Sequence, residues 1–262
     1  SYFYSFQIYC DFAGYSLIAI GMAKALGISS MKNFNFPYLA ESLVEFWKRW
    51  HISLSKWLRD YIFLPLAYFI SRKIKNDFLL GIKNETWSYV GGILVTMAIC
   101  GIWHGSQWTF IIWGVLHGVY LAFSHFSRKL RRKALKKTGL VQKKMFLRVV
   151  RIFLTFNLVT FAWIFFRANS LSDAWYIITQ ICTGISFEKQ QRFFAGFSLE
   201  DVLISLFFIG SLILYEYLKN FQIIPSIGKW SRSIRWATYY VVFLVILLLG
   251  FSQSKTFIYY NF

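Results

Sequence analysis

The chain is poor in charge, in acids and in cysteine, and each shortage narrows what it can be. Only 15% of its 262 residues are charged, against 57% hydrophobic and 21% aromatic. Soluble domains run at about 25% charged and 45–50% apolar, so an ordinary soluble domain is excluded in favour of a lipid-embedded one. Three cysteines, Cys10, Cys100 and Cys182, lie far apart with no C-x-x-C pair, which leaves no disulfide framework to expect. Three prolines (Pro37, Pro65, Pro225) give no proline-rich linker, and no internal repeat is visible. There is no G-x-S-x-G elbow and no G-x-x-x-x-G-K-[ST] loop, hence no sign of a serine hydrolase or an NTPase. The four histidines form neither H-x-x-x-H nor H-E-x-x-H, so spacing suggests no metal site. The opening SYFYSFQIYCDFAGYS has no basic n-region of a signal peptide and reads as the middle of a longer protein.

The 29 Lys and Arg outweigh 11 acids, for a net charge of +18. These bases lie between greasy runs rather than over a polar surface, which suits an anionic membrane leaflet and argues against nucleic acid. Residues 86–127 contain no Asp, Glu, Lys or Arg, enough for two crossings of about 20 residues each, with a break at GIWHGSQW (101–108). Further apolar runs occupy 152–166, 202–215 and 236–254, and 1–27 carries only Asp11 and Lys24. Five or six crossings are predicted, in an all-α polytopic transmembrane protein. Residues 128–151 hold eleven Lys or Arg and no acid, so the positive-inside rule places that loop in the cytoplasm. His104 then falls toward the outer half of the membrane and His51 toward the cytoplasmic side.

An ionisable group in a charge-free membrane stretch is costly and marks a functional candidate. His104, in Gly-Ile-Trp-His-Gly, is the foremost one, a general base or a helix-packing histidine, with Trp103 beside it. His117, in WGVLHGVYL, lines the same cavity or simply packs. His125 reads as interfacial. Residues 41–62 have apolar positions at three- and four-residue steps, with Glu45–Arg49 and Lys56–Asp60 as supporting i,i+4 pairs. This predicts one interfacial or re-entrant amphipathic helix, its bases available to a phosphate-bearing donor or to lipid headgroups.

Three stretches taken together carry a resemblance: QIYCDFAGYSLIAIGMAKALGI (7–28), NFNFPYLAESLVEFWKRWHISLSKWLRDYIFLPL (33–66) and GIWHGSQWTFIIWGVLHGVYL (101–121). They resemble the membrane-bound O-acyltransferase (MBOAT) family, in particular its bacterial branch of alginate O-acetyltransferase membrane subunits, and FFRANSLSDAW and the final FIYYNF fit that branch. The resemblance implies a single transmembrane domain over residues 1–262, the C-terminal portion of a longer protein, with short re-entrant or interfacial helices around a central tunnel. It makes His104 the essential histidine and His51 the second motif residue. Trp103, Trp50, Arg49, Arg59, Asp60 and His117 are the expected substrate-binding or tunnel-lining residues. It further implies acetyl-CoA as cytoplasmic donor with no resident cofactor, membrane lipid around the protein, and an acceptor polysaccharide or an extracytoplasmic acetyltransferase as partner. The setting would be the bacterial cytoplasmic membrane. Two departures stand out: Leu17-Ile18 where the branch commonly has an acid, and Ala67-Tyr68 where it commonly has Gly-Gly. They bring the 67–86 loop nearer to teichoic acid D-alanyltransferases, which take their acyl group from a carrier protein. A transporter of an acylated precursor and a scaffold for a soluble acetyltransferase are the alternatives of another class.

Overall fold

The computed structural model describes residues 1–74, 77–79, 82–184, 198–225 and 227–249. Among them are eleven α-helices and one small antiparallel hairpin, in which Phe78–Leu79 pairs with Ile82–Lys83. Contacts divide the chain into two units, Ser1–Ser186 and Phe187–Asn261.

The first unit holds α1 (Tyr2–Ala25), α2 (Leu43–Arg49), α3 (Ile52–Leu58), α4 (Leu64–Lys73), α5 (Asn84–His104), α6 (Trp108–Phe126), α7 (Arg128–Lys137), α8 (Lys144–Arg167) and α9 (Leu171–Thr183). The second holds α10 (Leu199–Asn220) and α11 (Arg232–Leu249). Helix starts follow their capping residues. Ser42 accepts from the Glu45 N–H at α2, Ser170 from the Asp173 N–H at α9, and Ser198 and Asp201 close a reciprocal capping box on α10.

Four helices are long and apolar enough to cross a membrane: α5, α6, α8 and α10. The charge-free hairpin is therefore α5 and α6, joined by a turn of only three residues, Gly105–Gln107. The runs at 152–166 and 202–215 lie inside α8 and α10, whose helices extend past the apolar core into flanking polar residues. α1 is a 24-residue helix but is not one of these four. The predicted crossing at 236–254 is helical as far as Leu249, and its remainder lies outside the described residues. Val95, Phe123, Phe153, Leu154 and, in the second unit, Phe207 are exposed, as the lipid-facing side of a spanning helix requires.

The α5–α6 pair is the tightest packing in the first unit, and glycine makes it so. A methyl on Gly114 would collide with the Met97 carbonyl, and one on Gly101 with the Phe110 carbonyl. Small residues let membrane helices approach until backbones touch. Ile70 of α4 presses on Gly91, and Ala67 of α4 and Phe63 just before it on Gly92, so α5 is bound on two sides through glycines.

The amphipathic stretch 41–62 is not one helix. α2 stops at Arg49, Trp50 is extended, His51 takes the left-handed conformation (φ 41°, ψ 57°), and α3 restarts at Ile52. A single π-turn, Arg59–Phe63, then leads into α4. Backbone bonds to the preceding strap overrule the helical periodicity: Asn35 N–H donates to the Arg49 carbonyl at 2.9 Å, and Ile52 N–H to the Asn33 carbonyl at 2.9 Å. The Glu45–Arg49 ion pair forms as predicted, at 2.7 Å. Asp60 pairs with its neighbour Arg59 at 2.8 Å rather than with Lys56, because the wider π-turn begins at Arg59.

Gly114→Ala is expected to lower stability by about 1–3 kcal/mol, read as a drop in melting temperature of the detergent-solubilised protein. Gly21→Ala on α1, where nothing lies within 4 Å of the added methyl, leaves it unchanged or raises it.

Candidate active site

His104 is the last residue of α5 and is 7% exposed. Aromatic rings enclose it: Trp103 at 4.8 Å between centroids, Phe166 at 5.0 Å, Trp113 at 5.1 Å and perpendicular, and Phe110 at 6.5 Å. Gly105 follows because a side chain there would run into the Phe110 ring. Three elements thus build the box: the C-terminal end of α5, the first two turns of α6, and Phe166 near the end of α8. Trp163 packs face to face with Trp113 at 5.7 Å.

His51 sits at the tip between α2 and α3. Its ring meets Phe12 of α1 at 4.8 Å and Trp103 at 6.2 Å. The sequence put His51 and His104 toward opposite sides of the membrane; the structure puts both imidazoles against one indole. The reason is the fold-back. α2 climbs beside α6, with Trp47 on Trp113 and His117, and turns at Trp50–His51. α3 then descends along α5, so the tip reaches the far end of α5. Trp103 itself is 58% exposed, so the shared ring faces open space rather than the core. Burial pushes the His51 imidazole down to about 4, and it is neutral at physiological pH.

The remaining sequence candidates separate. Trp50 is 2% exposed and packs on Phe46, Phe34, Tyr9 and Trp163; it supports the tip from behind. His117 is fully buried among Phe46, Trp47, Trp113 and Tyr120, and neither ring nitrogen has a hydrogen-bond partner among the described residues. Arg49 donates to the Asn35 and Phe36 carbonyls at 3.4 and 3.3 Å and pairs with Glu45, so its guanidinium ties the strap to the tip. Arg59 and Asp60 are exposed partners of each other.

Below the tip lies a groove of about 400 Å³. Trp47, Ile52, Phe63, Tyr89, Met97 and Leu121 make its walls apolar, and Lys48, Lys56 and Arg59 bring cations to it. Among the described residues no three His, Cys, Asp or Glu side chains group around a possible metal position.

Sequence reasoning missed Asn33 and Ser53, which bind each other at the tip: Ser53 N–H and Oγ–H both donate to Asn33 Oδ1, at 3.2 and 2.6 Å. It also missed Phe110, Trp113 and Phe166 as walls of the histidine box. The i,i+4 spacing of Trp113 and His117 and the i,i+3 spacing of Trp163 and Phe166 put each pair on one helix face, a signal that was present.

The site is thus a buried histidine in a box of aromatic rings at the end of a glycine-packed helical hairpin, with a second histidine folded back onto the same indole. The MBOAT, membrane-bound O-acyltransferase, family model matches residues 1–163. The chain belongs to the membrane-bound O-acyltransferase family and is a membrane protein. It is 42% identical over 172 residues to a probable alginate O-acetylase AlgI of Azotobacter vinelandii, covering 66% of this chain and 30% of that protein. It is 38% identical over 175 residues to a peptidoglycan O-acetyltransferase of Helicobacter pylori, 65% of this chain and 28% of that protein. A teichoic acid D-alanyltransferase of Streptococcus thermophilus is 33% identical over 180 residues, 67% of this chain and 42% of that protein. The chain thus spans less than half the length of each of these relatives.

Replacing Arg49 with Met is expected to cost about 1–3 kcal/mol of stability, since two carbonyls and Glu45 lose a charged donor. Lys48→Met next to it leaves stability unchanged. Denaturation of the purified protein reads both; a fully stable Arg49→Met protein with weakened donor binding would return Arg49 to the substrate-binding role.

Proposed function

We propose that the protein is an O-acyltransferase that moves an acetyl group from a cytoplasmic thioester, acetyl-CoA, to hydroxyls of a cell-surface or exported polysaccharide. It would act directly or through an extracytoplasmic acetyltransferase, from the bacterial cytoplasmic membrane. The observation that carries this reading is the pair His104 and His51 flanking Trp103 beside an apolar groove with a cationic rim. Family membership and the acetyltransferase relatives support it.

The chemistry needs a hydroxyl activated against a thioester. Neutral His104 takes the proton of the acceptor hydroxyl while its oxygen attacks the thioester carbonyl. The tetrahedral intermediate collapses with cleavage of the C–S bond. The departing thiolate receives the proton, which returns the imidazole to its neutral form. The aromatic walls exclude bulk water, so the hydroxyl competes with little hydrolysis. Trp47, Ile52 and Phe63 offer apolar contact to a pantetheine arm, and Lys48, Lys56 and Arg59 offer charge to its phosphates. A carrier-protein donor, as in D-alanyl transfer, would use the same groove and rim.

His104→Ala, inserted and folded at normal levels, is expected to lose on the order of 10²–10⁴-fold in acyl transfer, measured as label moved from donor to polymer. Wild-type acetylation by that variant would overturn the catalytic role and favour a transporter or a scaffold. Lys48→Ala with Lys56→Ala is expected to raise KM for acetyl-CoA about tenfold with kcat retained, and to leave KM for uncharged acetyl-pantetheine unchanged. An unchanged KM for both donors would remove the rim from donor binding.

A further inference from the structure

The hydrogen bonds at the re-entrant tip determine more than its shape. Ser53 N–H can only donate, so the Asn33 side-chain atom it meets at 3.2 Å must be the carbonyl oxygen and not the amide nitrogen. That oxygen can only accept. The Ser53 hydroxyl, 2.6 Å from it, therefore spends its single proton on Asn33. The same Ser53 oxygen lies 3.4 Å from Nδ1 of His51. With its proton already committed, the serine oxygen can only accept, so Nδ1 must be the donor. His51 is held neutral by burial, and a neutral imidazole carries one proton; Nε2 is left with its lone pair.

We propose that Asn33 and Ser53 are positioning residues that fix the tautomer of His51, with the proton on Nδ1 and the basic nitrogen at Nε2. The backbone around them is set for the purpose. The Asn33 carbonyl accepts from Ile52 N–H at 2.9 Å, and the left-handed His51 is held between α2 and α3. Both sides of Asn33 thus grip the two residues after His51. Phe12 and Trp103, whose rings pack on it, bring no proton acceptor, and the ring's other hydrogen-bonding contact, with the His51 backbone itself, adds to the hold of Ser53 on the same proton at Nδ1. The neutral histidine ring in water favours the opposite tautomer, with the proton on Nε2, so the relay reverses the ring's own preference.

The consequence for the site is specific. At Nε2, His51 can receive a proton or a hydrogen bond from an O–H, N–H or S–H of a substrate. It cannot give a hydrogen bond to a developing oxyanion. This inference rests on the reading that the His51–Trp103–His104 group is the transfer site.

Ring-nitrogen NMR of the intact protein labelled with ¹⁵N-histidine, in lipid at neutral pH, tests it. The His51 signals are those lost in a His51→Asn spectrum. The expected result is a protonated Nδ1 and an unprotonated Nε2. Ser53→Ala keeps the backbone bond to Asn33 and should fold; in it the ring is expected to move to the Nε2–H form, with kcat down about tenfold or more and donor KM little changed. Ser53→Thr, which restores the hydroxyl, should recover both tautomer and rate. A wild-type ring already in the Nε2–H form, or one whose tautomer does not respond to Ser53→Ala, overturns the proposal. A tautomer that switches in Ser53→Ala with acyl transfer at the wild-type rate upholds the relay and instead removes His51 from the transfer reaction.

Discussion

Everything at the site depends on two backbone hydrogen bonds between the strap at 33–36 and the tip at 49–52. They stop α2 one residue short of Trp50 and hold His51 in a conformation that non-glycine residues seldom adopt. An unbroken helix from 43 to 58 would stretch about 24 Å and carry Trp47 and Lys56 far apart. The break folds it into a hairpin whose two arms share one groove and whose tip meets the end of α5. Arg49 adds charge-assisted donors to the same strap. The cation that sequence alone offers to a substrate is therefore spent on building the place where substrate could sit.

Behind the tip, stability comes from rings. Trp50, Trp113, Trp163, Phe46 and Phe166 are all at most 2% exposed and contact one another in tilted, stacked and edge-on pairs. Aliphatic side chains would pack with less restriction. They would also avoid a cost, since the indole nitrogens of Trp47, Trp113 and Trp163 and both nitrogens of His117 are buried without hydrogen-bond partners among the described residues. Each such group loses its hydration without recompense. A membrane core would select against them on stability alone, and they cluster around His104 and His51 rather than along the lipid face. Flat, rigid rings define a pocket with little entropy to lose.

The fold was readable from long-range composition. A 42-residue stretch without charge, between Glu85 and Arg128, can hardly be anything but α5 and α6, and its glycines announced where backbones would touch. The histidines were readable too, because an ionisable group in apolar surroundings is conspicuous. What stayed hidden is what periodicity cannot encode. The apolar steps through 41–62 are equally those of one helix or of two arms meeting at a bend, and the deciding partners, Asn33 and Asn35, lie outside the stretch. Arg49 looked like a ligand for phosphate because its carbonyl partners have no side-chain signature. The nearness of His51 to His104 followed from the same bend, so missing the bend placed the two histidines at opposite ends of the membrane.

The chemistry of the box bears on which acyl group suits it. An acetyl group is small and uncharged, and the rings described around His104 offer it contact without demanding a counter-charge. A D-alanyl group carries an ammonium, which aromatic faces accept only through their quadrupoles. Glu45 beside the tip holds Arg49, and Asp60 beside the rim holds Arg59. An ammonium arriving there would have to displace a guanidinium from its carboxylate and, at Glu45, loosen the very latch that shapes the site. The neutral acyl group of the proposed transfer meets no such conflict.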